Sequence, residues 1–262
     1  MKPPREADAR ITVIQRELFD ENKSKARRYA DLVVGKPGWL ALLKHEGITL
    51  LCWGVPGALG LFLRSKLYPL LLGSCGRGVV FGTGVVLRHP HKIHIADNVV
   101  IDDGCCLDAK GTDNDGIRLG RGVFLGRHTI LSCKNGDIVI EDEANIGFNT
   151  EIFSASRVRV GRKVLVAAYT YLVGGDHLYD RVDVPVLDQG RTAAGIDVGD
   201  HVWLGAHVVV TDGARIGRDA IIGAGAVVVG EVPDYAIAVG TPAKVVRDRR
   251  ATPNSGDAGQ DR

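Results

Sequence analysis

The sequence predicts a mainly β fold: a left-handed parallel β-helix with an N-terminal helical region. Three observations carry this. An aliphatic residue returns every six positions at Val198, Leu204, Val210, Ile216, Ile222 and Val228. A glycine follows four of them, at Gly199, Gly205, Gly217 and Gly223. Composition agrees, with 34 glycines and only 6% aromatic residues. A helix repeats every 3.6 residues and a strand every two, so neither alone gives a spacing of six. In a hexapeptide coil each six-residue unit forms one flat face of a triangular turn. The aliphatic side chain points into a core too thin for rings, and the small residue lets the chain turn the corner.

Residues 1–37 read as a polar N-terminal segment. Charges run through it with few aliphatics, and a helix is expected over 7–34 until Gly35-Lys36-Pro37-Gly38 breaks it. Residues 38–75 form an apolar helical segment whose centre, Ile48 to Leu63, carries no charge and is followed by Arg64 and Lys66. Sixteen residues with Pro56 and three glycines fall short of the roughly 20 that a spanning helix needs. Two readings stay open. The segment caps the open end of the β-helix, or it dips into one leaflet with Arg64 and Lys66 at the headgroups, giving peripheral membrane contact through 48–72.

The β-helix is expected over 76–248. Its inward residues run in triplets, one triplet per turn: Ile95, Ile101, Leu107; Leu119, Leu125, Leu131; Ile140, Ile146, Ile152; Val160, Val166, Leu172. Extra residues between triplets, such as Lys110 to Gly116, are expected to bulge at a corner, and one larger insertion, Val173 to Asp197, interrupts the period before the strict repeat resumes. Residues 249–262 read as a disordered tail.

Composition bounds function. A formal net charge of +2 gives no case for a nucleic-acid partner. The five cysteines are odd in number and scattered, and no signal peptide opens the chain, which points to a reducing cytoplasm or the inner face of the cytoplasmic membrane. On a rigid coil with one long excursion, chemistry is expected in the excursion. That segment, VGGDHLYDRVDVPVLDQGRTAAGID, holds a single histidine, His177, behind two glycines and Asp176. A histidine held by a carboxylate is a general base near neutral pH, and Asp176, Asp180, Asp183 and Asp188 are within the same segment. The plain alternative is a surface histidine in a polar loop.

The motifs GGDH, GDHVWLGAHVVV and IGAGAVVVGEVPDYAIAVGTPAKVVR resemble those of the hexapeptide-repeat acyltransferases, in the maltose/galactoside and polysaccharide O-acetyltransferase branch. The resemblance covers 172–247 by motif and the rest of the coil by period. It implies a homotrimer with active sites in the clefts between subunits, acetyl-CoA as donor and a sugar or lipid-linked glycan hydroxyl as acceptor, with no metal. It implies His177 as catalytic base and Asp188 as its orienting carboxylate, with Gln189 as rival. It places Trp203 beside the cleft, the Ala206 amide near the thioester, and Gly223, Ala224 and Gly225 along the pantetheine arm. Lys244 and Arg247 would meet the coenzyme's phosphates, and Asn149 and Asp176 would meet the acceptor. The chain departs from the family at Val229-Gly230, where many relatives carry Thr-Lys.

Other polar residues take plainer roles. His89, His91 and His94 suggest a metal site, but His94 cannot share a strand face with the other two, so structure or substrate-rim contacts are expected. Asp102 and Asp103 suit a turn, and adjacent Cys105 and Cys106 suit core or corner positions. Two rival classes remain. A γ-type carbonic anhydrase would need convergent histidines, and His128, His177 and His207 are unevenly spaced. A non-catalytic scaffold or sugar-nucleotide-binding module would have no use for a loop histidine or the C-terminal motif.

Overall fold

A computed structural model describes residues 24–251. Most of the predicted N-terminal helix and residues 252–262 of the predicted tail lie outside the described residues. The body is a parallel β-helix of three sheets with eight, nine and seven strands. Each turn contributes one strand to each sheet in order. Strands 157–160, 165–166 and 171–174, for example, lie on the first, second and third sheet of the fifth turn. Pairing is parallel and in register from turn to turn: Leu165 sits beside Trp203, and Trp203 beside Ile221.

All eighteen aliphatics traced from the sequence are buried in one continuous core. Burying a Val, Leu or Ile side chain contributes about 1.5–3 kcal/mol, so this column is the main source of stability. Buried Val79, Val99, Val123, Val164, Val202 and Val208 thicken it from the corners. The coil begins slightly before the expected Gly76, with strand Ser74–Cys75. The excursion is shorter than the period implied, because strand Tyr171–Gly174 continues past Val173 and strand Ile196–Val198 resumes before Asp197. The final segment does more than end the coil. Lys244–Asp248 turns back as an antiparallel edge strand on Ala236–Val239.

The three corners differ. From the first to the second sheet, the turns carry alternating charges. From the second to the third, they carry small, aromatic and imidazole side chains. From the third back to the first, they carry every insertion: His89–Lys92, Ala109–Gly116 and Gly175–Gly195.

Two helices, Trp39–Cys52 and Gly57–Leu67, lie over the first turn. Ile48, Cys52 and Tyr68 join the core, and the Tyr68 ring meets Phe81 edge-on at 5.3 Å. This inner face packs on the first turn of the coil. Arg64 is not at a headgroup level. It is fully buried, and its guanidinium donates to the carbonyls of Phe81 (2.9 Å), Cys52 (2.9 Å) and Val55 (2.7 Å). Those carbonyls are freed by a helix end and a coil edge, and a five-donor guanidinium satisfies several at once. The preceding polar helix is short: Lys25–Tyr29, widening over Ala30–Val34 and ended by Gly35 at φ 69°. It is tied to the coil by His89, whose N–H donates to Val33 O (2.7 Å) and whose ring nitrogen lies 2.8 Å from Asp31 O. Burial of His91 against Lys36, His89 and Lys92 pushes its pKa down to about 4. Among the described residues no helix is long and apolar enough to cross a membrane.

Candidate functional site

The corner between the second and third sheets repeats one backbone shape. Its third residue takes a left-handed conformation at Gly84, Gly104, His128, Asn149, Tyr169, His207 and Gly225, with φ between 53° and 73°. Asparagine and histidine tolerate this region better than most residues, and glycine best. Stacked one turn apart, the side chains form a column. Tyr169 lies flat on His207 at 5.1 Å and meets Phe148 edge-on at 5.8 Å. The column ends at Gly225, where an added Cβ would meet nothing within 4 Å.

The residue before each of these positions presents a backbone N–H. Thr83 donates to Asp103 Oδ1 (2.6 Å) and Asp103 to Asp102 Oδ1 (2.8 Å), which makes both aspartates turn residues. From the third turn on, the N–H groups of Arg127, Phe148, Ala168, Ala206 and Ala224 have no hydrogen-bond partner among the described residues. Ala206 and Ala224 are stacked on adjacent turns, with Gly225 N–H donating to Ala206 O at 2.8 Å. The approach is close: a Cβ on Gly205 would lie 2.6 Å from Ala224 N. Trp203, 48% exposed, stands on the second sheet of the same turn as Ala206. Lys244 and Arg247 are exposed on the edge strand of that sheet, and neither makes an ion pair among the described residues.

His177 is elsewhere. The excursion leaves the corner between the third and first sheets. Its base is a two-stranded ribbon, Asp176–His177 against Arg191–Thr192. Asp212 clamps the returning chain by accepting the N–H groups of Ala194 and Gly195 at 2.8 Å each. Asp176 Oδ1 accepts the His177 backbone N–H at 2.8 Å. The imidazole Nδ1 is buried and has no hydrogen-bond partner. Neither expected orienting group reaches it. Asp188 ends a short 3₁₀ turn with an exposed side chain. Gln189 is occupied within the excursion, accepting from Arg181 N–H and donating to the Arg181 and Val184 carbonyls. Asn149 lies one turn below the excursion, as its spacing implies, but at the second-to-third corner. His128 and His207 share that corner, and His177 does not. His201 is at the first-to-second corner beside Asp219, at 3.3 Å.

The structure thus groups Trp203, Ala206, Gly223, Ala224 and Gly225 along one edge. It groups His177, Asp176 and Asp188 on the arm at another. Of the open amides, only that of Ala206 was read in the sequence, through the resemblance; the others lie one residue before the recurring left-handed position three residues after each inward aliphatic.

Residues 195–230 match the family model described as bacterial transferase hexapeptide (six repeats). These residues carry the hexapeptide repeat that the family model describes, and the chain is similar to acetyltransferases built on it. It is 35% identical over 134 residues to a probable acetyltransferase of Mycobacterium tuberculosis, a match covering 51% of this chain and 45% of that protein. The chain therefore spans about half the length of that relative. It is 27% identical over 150 residues to a putative lipopolysaccharide biosynthesis O-acetyl transferase of Escherichia coli, covering 55% of this chain and 75% of that one. Among solved structures, the fold is similar to an N-acyltransferase from Bacillus cereus in complex with dTDP-4-amino-4,6-dideoxyglucose and coenzyme A. The TM-score is 0.51 at 18% identity, over 72% of this chain and 90% of that one.

Proposed function

We propose that this protein is an O-acetyltransferase that moves an acetyl group from acetyl-CoA to a sugar hydroxyl, acting as a homotrimer. One observation carries the reading: the arm histidine and the open amides stand at different corners of one chain. A histidine corner on one subunit set against an amide corner on the next would complete a site in the cleft between them. The unpartnered Nδ1 of His177 fits such a cleft, since a buried ring nitrogen without a partner costs about 1–3 kcal/mol.

The chemistry is balanced by these groups. Imidazole takes the proton of the acceptor hydroxyl as its oxygen attacks the thioester carbonyl. The resulting oxyanion is met by a fixed backbone N–H, that of Ala206, which needs no reorganisation. The C–S bond breaks, and the proton passes from the imidazolium to the departing thiolate. An O-acetyl ester and coenzyme A leave. The acceptor is a sugar by analogy with the lipopolysaccharide relative and the sugar-nucleotide complex. Coenzyme A in that complex likewise supports the donor.

Replacing His177 by Ala should lower acetyl transfer by about 10²–10⁴-fold with the trimer intact. The shared cleft is tested by co-refolding His177→Ala with Ala206→Pro. Mixed trimers contain clefts with both wild-type groups, so activity should return. Near-normal turnover of His177→Ala would reject the base, and no recovery in mixed trimers would reject the shared cleft.

A further inference from the structure

The two helices over the first turn have an inner face that caps the core and an outer face with no partner. Trp39 is 71% exposed, Leu40 85% and Leu50 87%, with Leu43, Leu59 and Phe62 also exposed beside them. Contiguous apolar surface of this kind marks an interaction site rather than ordinary surface. Arg64, locked onto three carbonyls, fixes the helix pair to the coil, so the outer face is held in place as a rigid plate.

We propose that this plate docks on a lipid bilayer bearing anionic headgroups. Charge points to that occupant. Besides the buried Arg64, residues 24–72 contain six basic and two acidic residues, whereas 47–63 contain no charge at all. Of the two acids, Glu46 is engaged by Tyr29 (2.7 Å) and His45 (3.1 Å). Lys36 and Lys66 are exposed at one end of the helix pair, Lys44 is exposed within the first helix and donates to Leu70 O at 2.6 Å, and the charge-free connection Trp53–Pro56 is at the other end. Basic residues beside an apolar face, with Trp39 and Trp53 at its ends, match the interface between headgroups and acyl chains. A second copy of the plate fits less well, because two such faces would set like charges against each other. Helices of 14 and 11 residues lie in the interface and do not span it.

In the proposed trimer, on which this step alone rests, parallel coils would turn three plates the same way, and weak individual contacts would multiply. The coil would then stand on the membrane. Ala206 is on the sixth turn, five rises above the first, or about 24 Å. A lipid-linked acceptor reaches that height only when several sugars separate the lipid from the acetylated hydroxyl.

Vesicle flotation of the full chain tests the proposal, with phosphatidylcholine vesicles alone and with added phosphatidylglycerol. The protein should float with the anionic vesicles, less so with the neutral ones, and less in high salt. Leu50→Glu with Phe62→Glu should weaken binding roughly a hundredfold. Lys36→Gln with Lys66→Gln should weaken it roughly tenfold on anionic vesicles only. Turnover on a soluble acceptor and the thermal midpoint should not change in either variant, which separates this result from any failure of the catalytic reading. Wild-type protein that stays with neither vesicle, or binding that survives the two glutamates, would overturn the proposal. So would a face-to-face dimer that these glutamates dissociate.

Discussion

Two corners of the same coil use the same backbone turn and satisfy its amides to different degrees. At the first-to-second corner, Arg77, Arg121, Arg162 and Arg218 donate their N–H groups to Asp97, Asp142, Asp200 and Asp234 on the turn above, at 2.7–3.0 Å. The guanidiniums of the same arginines reach the same carboxylates at 3.3–3.7 Å. That corner is closed by side chains on every second turn, the amides of Asp97, Asp142, Asp200 and Asp234 between them having no partner among the described residues. At the second-to-third corner, Ala206 and Ala224 offer the same amides with nothing to receive them, on the turns where the core is most regular. What distinguishes the second-to-third corner is that successive turns, not alternate ones, leave the amide open, and that at Ala206 and Ala224 the neighbouring side chains are too small to cover the two donors.

The comparison breaks first at Ala206. Ala206→Pro deletes one N–H and nothing else that the fold uses, and Gly205 ahead of it has no Cβ to clash with the ring. Losing an oxyanion donor costs about 10²–10³-fold in turnover, so kcat should fall by that order while the thermal midpoint barely moves. A large drop in the midpoint with normal kcat would mean that the open corner is structural after all.

The closed corner should answer in the opposite sense. Asp200 accepts the Arg162 N–H at 3.0 Å and the guanidiniums of Arg162 (3.3 Å) and Arg159 (3.2 Å). Arg159 also holds Glu141 and Asp197 at 3.1 Å, so this cluster ties the fourth, fifth and sixth turns together across the excursion. Burial pushes the Asp200 carboxyl up, but the Arg162 amide and the two guanidiniums outweigh it and hold the carboxyl below its ordinary 3.8. Asp200→Ala should therefore lower stability by about 1–2 kcal/mol at neutral pH, with kcat unchanged. The folded carboxyl binds its proton less tightly than the unfolded one. Its contribution is therefore full above the ordinary value and fades as pH falls through the folded value. Denaturant titrations of the two proteins should differ at neutral pH and converge in acid. A constant difference across that range would assign the loss to packing instead.

The difference between the corners also explains what was legible in the sequence. The core was readable residue by residue, because an inward aliphatic every six positions has one structural meaning. The ladders were not, because Arg77 and Asp97, or Arg162 and Asp200, are neighbours only after the register of stacked turns is known. Arg64 misled for a similar reason. A charge after an apolar run reads as an interface residue, and only the packed helix end shows three carbonyls waiting for it. The position of His177 at the base of the one long excursion was legible from the break in the period. A carboxylate or amide hydrogen-bonded to its ring was not, since distance in sequence does not show that Gln189 is spent on Arg181 and Val184.

The smallest effect is expected from Lys244 and Arg247, and it sharpens the contrast between paired and unpaired charge. Every arginine named above at the closed corner has an aspartate. Lys244 and Arg247 project from an edge strand with no anion beside them among the described residues. Cations left unpaired on the sheet that also carries Trp203 suit the phosphates of coenzyme A, which are present in both ground and transition states. Such contacts bind uniformly, so removing them should raise KM and spare kcat. Lys244→Ala with Arg247→Ala should raise the acetyl-CoA KM about tenfold, leave the acceptor KM unchanged, and shrink the salt dependence of donor binding. If the double variant keeps the wild-type donor KM at low salt, these residues are ordinary solvated charge, and the donor's phosphates must be held by another part of the cleft.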